Sequence, residues 1–517
     1  MKKHFESSKH FSLCAITMSL LSLCGCFIFT SCEKKDADLK SGDLYGIRWS
    51  ITDETDLGER CFSSVGLQAT IGVGSQYGRS DFDNIFPWSD IKRCNIKQAG
   101  DKEYSLVFEG EPGFSLDGSN GDVFVRIPKF NISRFVLDGY EYRVIGDKDS
   151  SVHEAFIENG EVLDEIYISA FEGFLENGEL FSKANLIPSS NYEAHDFLDG
   201  AKQKGNGYSL YDNRCVDMIW SLMAIEYGKR NTNRIIGYGL ADLLQPTSNN
   251  LVENNETTNV ARVKMSLYEM QQMPVGSTIT ICDKEQTNVI AQRTILNVQK
   301  DGDCFLITFD GSPISLSSTC FVGSGACKTN FCETVPGEAL KWHTGRARWN
   351  DSESTRNPVR YRWIENPVGN LWHLLPDVTF YNGCMYYCKD MANYSFGKYD
   401  GINYIKTDSV YTENNDNGTK SDVRNANYWI TGLTNDPKAA AVPFGKSFSK
   451  KLRSSEGFGG YYYLNASGVV FIANGGGFDH LWRCNMLTNR AWIRETSRWY
   501  LYGARLMFKH VDTTTRL

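Results

Sequence analysis

Short apolar runs, broken by Gly, Asp and Asn, dominate the first part of the chain. Two examples are EYSLVFEG and DVFVRIPKF, the second of which follows the turn sequence LDGSNG. Runs of this length that are bounded by turn residues predict β-strands. Residues 46–145 are therefore predicted to form a β-rich N-terminal region.

The clearest helical pattern is DNRCVDMIWSLMAIEY at residues 212–227. Its apolar residues recur on one face at helical spacing, and Asp212 stands where a side chain can cap the first turn. The residues on this face are Val216, Ile219, Leu222, Met223 and Tyr227. We expect this face to be part of the core. The helix lies in residues 146–259, which we predict to be the first part of a second domain.

A compact β-rich unit is predicted after the Asn-, Glu- and Thr-rich linker at 250–258. It contains the strand-like runs GSTITIC, QRTILNVQ and CFLITFDG. Three short strands are not stable alone, so residues 260–322 are predicted to be an insertion that packs on the main body. Residues 323–512 are richer in loops and form the C-terminal part of the second domain, with late strand candidates GVVFIA and ARLMFKH.

The segment from Phe478 to Tyr502 has no lasting apolar period of 3.6 or 2 residues, although aromatic residues and arginines are concentrated in it. Such side chains supply much of the binding energy in protein interfaces. A segment held at both ends by strands can present them outward on a rigid frame. Residues 478–502 are therefore predicted to form a ligand-binding surface.

The overall composition favours a globular, turn-rich protein. Aromatic residues make up 13% of the 517 residues, and Gly occurs 46 times while Pro occurs 13 times. This balance fits a β-rich or α+β fold better than a helical bundle. The net charge of −8 argues against a nucleic-acid-binding protein, so no nucleic-acid partner is predicted.

The N-terminus carries an export pattern. A basic start precedes an apolar run from Phe11 to Thr30, and the small Ser31 stands before Cys32. This arrangement resembles a bacterial lipoprotein signal, which implies a signal peptide over 1–31, acylation of Cys32 and a tether over 32–45. A transmembrane anchor is the alternative, since the apolar run is long enough to span a bilayer. The expected location is the outer membrane or cell surface, anchored by lipid.

No motif selects a catalytic or metal site. GSGACKT at 323–329 lacks the glycine spacing of a phosphate-binding loop, and the cysteines lack the spacing of a zinc knuckle. We expect most cysteines to be buried free thiols. No catalytic residue, metal ligand or cofactor is predicted, and the Asn- and Asp-rich loops leave a structural calcium ion open.

RYRWIENPVGNLWHLL at 360–375 resembles the GNxWEW signature of proteins with the C-type-lectin fold of the formylglycine-generating type. Gly369, Asn370 and Trp372 match, while His373 and Leu374 replace the usual Glu and Trp. GARLMF at 503–508 resembles the closing strand of that fold. Upstream phrases are similar to phage tail-fibre-like and surface proteins that end in such a domain. The resemblance implies an α+β protein, with the β-rich N-terminal region followed by a C-type-lectin-like fold that carries the small β insertion.

The resemblance also bears on function. Formylglycine-generating enzymes use a pair of cysteines late in the fold, and here the final hundred residues contain only Cys484, so no enzyme is predicted. The chain is also similar to the variable proteins of diversity-generating retroelements, which present a binding segment between a GG turn and a GARL-like strand. We therefore expect a lipid-anchored surface protein that binds a protein or glycan ligand; whether its binding segment is diversified is left open.

The candidate ligand-binding residues are the aromatic, charged and amide side chains of this segment. They are Phe478, Asp479, His480, Trp482, Arg483, Asn485, Asn489, Trp492, Arg494, Arg498, Trp499, Tyr500 and Tyr502. Trp482 and Trp492 could equally be core residues. The alternative functions are an enzyme of the sulfatase-modifying type and a structural subunit of a surface or phage-like assembly.

Overall fold

The structure is a computed structural model. It describes residues 44–73, 78–98, 103–146, 150–334, 345–346, 357–410, 412–414, 420–422, 426–433, 438–439, 442–443, 445–464, 468–480 and 483–510. The predicted signal peptide, the acylation site at Cys32 and the candidate residue Trp482 lie outside these ranges.

The architecture is mostly β, with 43% of residues in strands and 12% in helices. The predicted α+β fold class is therefore wrong. The physical reason lies in the second half of the chain, where short apolar runs between Gly, Asn and Asp turns pair as strands. Central strands such as Trp372–Tyr381 and Asn485–Ile493 are buried on both faces and do not alternate between apolar and polar residues, so the loop-rich composition concealed them.

Two antiparallel sheets contain most of the N-terminal part. The five-stranded sheet consists, in spatial order, of Ser151–Val152, Asn131–Leu137, Tyr140–Ile145, Tyr45–Ser50 and Glu59–Phe62. The six-stranded sheet consists of Tyr208–Leu210, Leu506–Phe508, Glu165–Ser169, Asp122–Pro128, Lys92–Gln98 and Tyr104–Phe108. The C-terminal strand Leu506–Phe508 thus lies inside a sheet made otherwise from residues 92–210.

A nine-stranded sheet carries the candidate binding segment. Eight strands follow one another in space as Ile405–Val410, Cys384–Tyr387, Trp372–Tyr381, Val469–Gly475, Asn485–Ile493, Tyr461–Leu464, Ala426–Leu433 and Gly445–Ser449. The ninth, Tyr502–Gly503, pairs in parallel with Trp372 and His373. Asn485–Ile493 is therefore a central strand with neighbours on both sides.

The insertion forms its own five-stranded antiparallel sheet. Its strands are Val260–Lys264, Cys304–Phe309, Thr287–Asp301, Thr278–Lys284 and Phe321–Ser324. Their apolar residues form a separate hydrophobic core that includes Ile279, Ile307 and Phe309, all fully buried. The main hydrophobic core is a single cluster whose buried residues come from segments spread between Ile47 and Phe508.

The remaining strands form small sheets and hairpins. A four-stranded sheet joins Ile364–Glu365, Val359–Tyr361, Gly345–Arg346 and Gly72–Val73. The two-stranded pairs are Ala69–Thr70 with Arg79–Ser80, Ile157–Glu158 with Glu161–Val162, Phe174–Glu176 with Glu179–Phe181, Glu256–Thr258 with Ile314–Leu316, and Thr412–Asn414 with Lys420–Asp422.

The predicted helix is confirmed and runs from Asn213 to Tyr227. Asp212 caps it by accepting a hydrogen bond from the Cys215 N–H, as predicted, and the left-handed Gly228 ends it. The helix contacts both the five-stranded and the nine-stranded sheet, so almost every residue is buried rather than one face alone. Its buried Asp217 is consequently paired, with Arg143 at 2.9 Å and Arg134 at 2.8 Å.

Shorter helices complete the fold. The α-helices are Ala194–Lys202, Leu267–Met270 and Phe331–Thr334, and the 3-10 helices are Asp81–Asn84, Trp88–Asp90, Glu154–Phe156, Thr232–Arg234 and Met391–Asn393. Ala194–Lys202 begins with a capping box, in which Glu193 and Asp196 satisfy each other's backbone N–H groups. In the described ranges, no helix has the length and apolar character needed to cross a membrane.

Candidate binding surface of the C-terminal segment

A glycine turn fixes the start of the candidate segment. Gly475 and Gly476 have φ angles of 94° and 93°, which favour glycine strongly over other residues. A Cβ atom on Gly476 would lie 2.4 Å from Cys484 Sγ. The turn after the Val469–Gly475 strand can therefore pass this close to Cys484 only because no side chain is present.

The GNxW motif, residues 369–372, lies beside the glycine turn and supports it. Gly369 and Asn370 both have left-handed backbones, with φ of 72° and 59°. The Asn370 side chain accepts a hydrogen bond from Cys327 N at 2.8 Å and donates to the Glu172 carboxylate. His373, which replaces the usual Glu, lies 3.2 Å from the same carboxylate. Burial lowers the pKa of His373.

Five of the candidate residues are buried, so the prediction that they face a ligand is wrong for them. They are Phe478, Asn485, Asn489, Tyr500 and Tyr502. The two asparagines lie on the central Asn485–Ile493 strand, where neighbouring elements cover both faces. Asn489 accepts a hydrogen bond from Asn474 at 3.1 Å, and Asn485 donates to Asn233 at 3.1 Å. Both asparagines therefore have hydrogen-bond partners inside the protein.

The buried rings of the segment are part of the core. Phe478 and Tyr500 are fully buried and lie 5.7 Å apart between ring centroids. Burial raises the pKa of Tyr502 to about 12 and that of Tyr500 further. These side chains stabilise the frame of the segment instead of contacting a ligand.

The other described candidates lie at the surface or partly below it. Trp492 is 45% exposed, and Arg494 and Arg498 are also exposed. Asp479, His480, Arg483 and Trp499 are partly buried. Trp482 lies outside the described residues. The prediction of an exposed aromatic and arginine-rich segment thus holds for only part of the residues that it named.

Arg490, which is not among the predicted binding residues, organises this surface. Its guanidinium carbon lies 4.4 Å from the ring centroids of both Trp492 and Trp499. Trp372 and Tyr502 rings lie 5.9 Å away. Cation–π contact with several rings holds a guanidinium in place even where it is largely dehydrated. Arg490 and Trp492 share a face of one strand, because side chains alternate along it, and that spacing was the signal available in the sequence.

His480 connects the arginine to the frame. Its Nδ1 atom contacts the Asp479 carboxylate and lies 3.3 Å from the Trp372 indole nitrogen, and its Nε2 atom lies 3.4 Å from Arg490. Asp479 in turn accepts a hydrogen bond from the Gln245 side chain at 3.2 Å. The surface rings therefore rest on a chain of polar contacts that is largely enclosed.

We define the aromatic–guanidinium surface as Trp492, Arg494, Arg498 and Trp499, with Arg490 between the two indoles. Arg498 also pairs with Glu193 at 3.0 Å, beside the start of the Ala194–Lys202 helix. This ion pair is exposed and contributes little to stability. The pair nevertheless orients the Arg498 guanidinium toward Glu193.

The remaining chemistry of the region gives no sign of a reactive centre. Cys484 is buried, its thiol donates to the Gly477 carbonyl at 3.3 Å, and burial raises its pKa well above the usual value. A thiol in this state is a poor nucleophile. Among the described residues, no group of three or more His, Cys, Asp or Glu side chains is placed to hold a metal ion.

No protein-family model matches the chain, and no curated protein matches it significantly.

Proposed function

We propose that this protein binds a protein or glycan ligand, without a chemical step, through the aromatic–guanidinium surface. The proposal places it at a bacterial cell surface, held by a lipid on Cys32, as the N-terminal sequence suggests. It also rests on the resemblance of residues 360–375 and 503–508 to the C-type-lectin fold of the formylglycine-generating type, whose other members include the ligand-binding variable proteins of diversity-generating retroelements. The observation that carries it is the stack of Trp492, Arg490 and Trp499.

The stack has the physical properties of a binding anchor. Arg490 lies 4.4 Å from each indole and so restrains both rings before any ligand arrives. Restrained aromatic side chains lose little conformational entropy on binding. Trp492 remains 45% exposed, which leaves indole surface for stacking against a sugar ring or an apolar side chain. Arg494 and Arg498 add forked donors for carboxylate groups.

A binding screen tests this proposal. The mature protein is applied to a glycan array and to a panel of cell-surface preparations, together with Trp492→Ala and Trp499→Ala. We expect both variants to lose at least about 2 kcal/mol of binding free energy, as central aromatic anchors do. Tyr268→Ala, which removes an exposed ring from the insertion, is the matched control and should bind like the parent.

Equal binding profiles of the parent and the two tryptophan variants would contradict the proposal. A stable oligomer in size-exclusion chromatography, with Trp492 protected from solvent, would instead favour the structural-subunit alternative. A hydrolytic or oxidative product released from a bound ligand would favour the enzyme alternative.

A further inference from the structure

A groove of about 740 Å³ separates the insertion from the main body. One wall is formed by residues 185–192 of the body and the other by residues 289–294 of the insertion. Ser190 and Gln292 are joined across it by a hydrogen bond of 3.3 Å between their side chains. The volume is within the range of sites that bind small molecules or short oligomers.

Three cationic side chains line the groove, and two of them have no ion-pair partner among the described residues. Arg293 donates from one terminal nitrogen to the Gln292 carbonyl at 3.1 Å, but its Nε atom is buried without a hydrogen-bond partner. Lys328 likewise forms no ion pair with a described carboxylate, and Arg498 pairs with Glu193. A buried donor without a partner costs free energy that an anionic ligand can recover.

Only one described carboxylate, Asp310, lines the groove, and it is already engaged. Its Oδ1 atom accepts a hydrogen bond from the Thr294 backbone N–H at 2.8 Å. The cationic groups therefore outnumber the acidic ones within the groove, in a protein whose net charge is −8. This local reversal of sign favours an anionic ligand.

The neutral part of the lining indicates the kind of anion. Asn185, Ser190, Asn191 and Gln292 place amide and hydroxyl groups along the groove, and Tyr192 contributes a ring that is 39% exposed. Amides and hydroxyls bind the hydroxyl groups of sugars, and aromatic rings stack on their faces. An inorganic anion would occupy only a small part of this volume.

We propose that the groove binds an oligosaccharide that carries carboxylate groups, with Arg293 and Lys328 as its carboxylate-binding residues. An acidic peptide is the less favoured occupant, because the hydroxyl- and amide-bearing side chains and the exposed Tyr192 match the hydroxyl groups and ring faces of a sugar, although Ile187, Val289 and Ile290 add apolar surface to the lining. The site is separate from the aromatic–guanidinium surface except for Arg498, which borders both.

Calorimetric titration with defined oligosaccharides tests the proposal. The probes are tetragalacturonate and a mannuronate tetramer, each compared with its methyl ester, which keeps the sugar rings but removes the charge. We expect the mature protein to bind at least one acid and to bind its ester at least tenfold more weakly. Arg293→Gln and Lys328→Gln should each weaken binding of the acid about tenfold, the loss typical of one charge-assisted hydrogen bond.

A control variant checks that the effect belongs to the groove. Lys300→Gln removes an exposed cation of the insertion that belongs neither to the groove nor to the aromatic–guanidinium surface, so it should bind the acidic tetramer within about twofold of the parent. Thermal unfolding checks that each variant is folded. If Arg293→Gln unfolds the insertion, Lys328→Gln decides the question alone.

Failure to bind either acid at about 1 mM, equal affinity for acid and ester, or unchanged affinity of a folded Lys328→Gln variant would overturn the inference. Tighter binding of a short polyglutamate at the same residues would assign the groove to an acidic peptide instead. None of these results would affect the outcome of the tryptophan screen, so the two proposals can fail independently.

Discussion

At the scale of single residues, the most unusual group is Asp377. Its carboxylate is buried and accepts two hydrogen bonds from Asn213, at 2.8 and 3.0 Å. Burial, together with the nearby Asp212 carboxylate, raises the pKa of Asp377 to about 7. Burial also acts on Asp212, but Lys509 and Arg214 hold its pKa well below the usual range. The two carboxyl groups therefore differ in charge near neutral pH.

This difference predicts a pH dependence of stability. Between about pH 4 and 7, the unfolded chain has released the Asp377 proton while the folded protein keeps it. The unfolded state then binds fewer protons, so the free energy of unfolding falls as pH rises, by about 1.4 kcal/mol per pH unit from this group. Asp377→Asn should remove that part of the slope in urea unfolding between pH 5 and 7.

Asp303→Asn is the control, because Asp303 lies on an exposed turn of the insertion. It should leave the slope of the parent unchanged. If Asp377→Asn also leaves it unchanged, Asp377 is ionised in the folded protein at these pH values and its proton plays no part in stability.

The sequence predicted individual residues well only where their environment is local. Asp212 was expected to cap the helix and does so, because its partner, Cys215 N, is three residues away. Tyr500 and Asn489 were expected at the surface and are buried, because the strands and helices that cover them come from distant parts of the chain. The role of Arg490 depends on its contact with Trp499, which the sequence alone does not show.

At the scale of elements, the turn between Val469–Gly475 and Asn485–Ile493 requires a glycine at position 476. Gly476→Ala would place a Cβ atom 2.4 Å from Cys484 Sγ at a φ of 93°. We expect a loss of about 3 kcal/mol in the free energy of unfolding, from overpacking and the left-handed backbone together. Equilibrium denaturation measures this loss.

Gly468→Ala is the matched control for that substitution. Gly468 has a φ of 74° in the same sheet region, but its Cβ would meet nothing within 4 Å. Its loss should be limited to the backbone cost of about 1 kcal/mol. Equal losses at the two positions would mean that Cys484 moves aside and that the turn does not depend on close packing.

The Asn485–Ile493 strand shows why the element itself was missed. Eight of its nine residues are buried, so its side chains do not alternate between a solvent-exposed and a buried face. Buried strands are usually recognised by runs of Val, Ile and Leu, but this one contains Asn485, Thr488 and Asn489, whose polar groups are bonded internally. The strand as a whole is therefore marked neither by alternation of polar and apolar residues nor by a run of Val, Ile and Leu.

At the scale of the whole molecule, the Leu506–Phe508 strand connects the C-terminal part of the described chain with two strands from its first half. It pairs with Glu165–Ser169 on one side and Tyr208–Leu210 on the other. Its three apolar side chains are almost completely buried. Each such side chain contributes about 1.5–3 kcal/mol, so together they approach the entire stability of a typical domain, about 5–15 kcal/mol.

Truncation tests this dependence. A chain that ends after Gly503 should fail to give a soluble protein with cooperative unfolding, because Tyr208–Leu210 loses the strand with which it pairs. A chain that ends after His510 keeps the strand and should unfold like the parent. Circular dichroism and thermal unfolding compare the two. Cooperative, parent-like unfolding of the shorter chain would show that the six-stranded sheet does not need this strand.

The sheet to which each strand belongs could not be predicted from the sequence either, because paired strands come from distant segments. The β-rich runs at 46–145 were visible, but not that Asp122–Pro128 would pair with Glu165–Ser169 in one sheet. Pairing between distant segments leaves no local pattern. The α+β expectation came from the composition and from the resemblance of residues 360–375 and 503–508 to a C-type-lectin fold, and the many short strands contradict it.

The position of Leu506–Phe508 also has a consequence for biosynthesis. Ribosomes deliver the polypeptide from its N-terminus, so this strand emerges long after Glu165–Ser169 and Tyr208–Leu210, the two strands that it joins. Until then these two strands lack the partner that lies between them in the folded sheet, and we expect their open edges to make the incomplete polypeptide prone to aggregation.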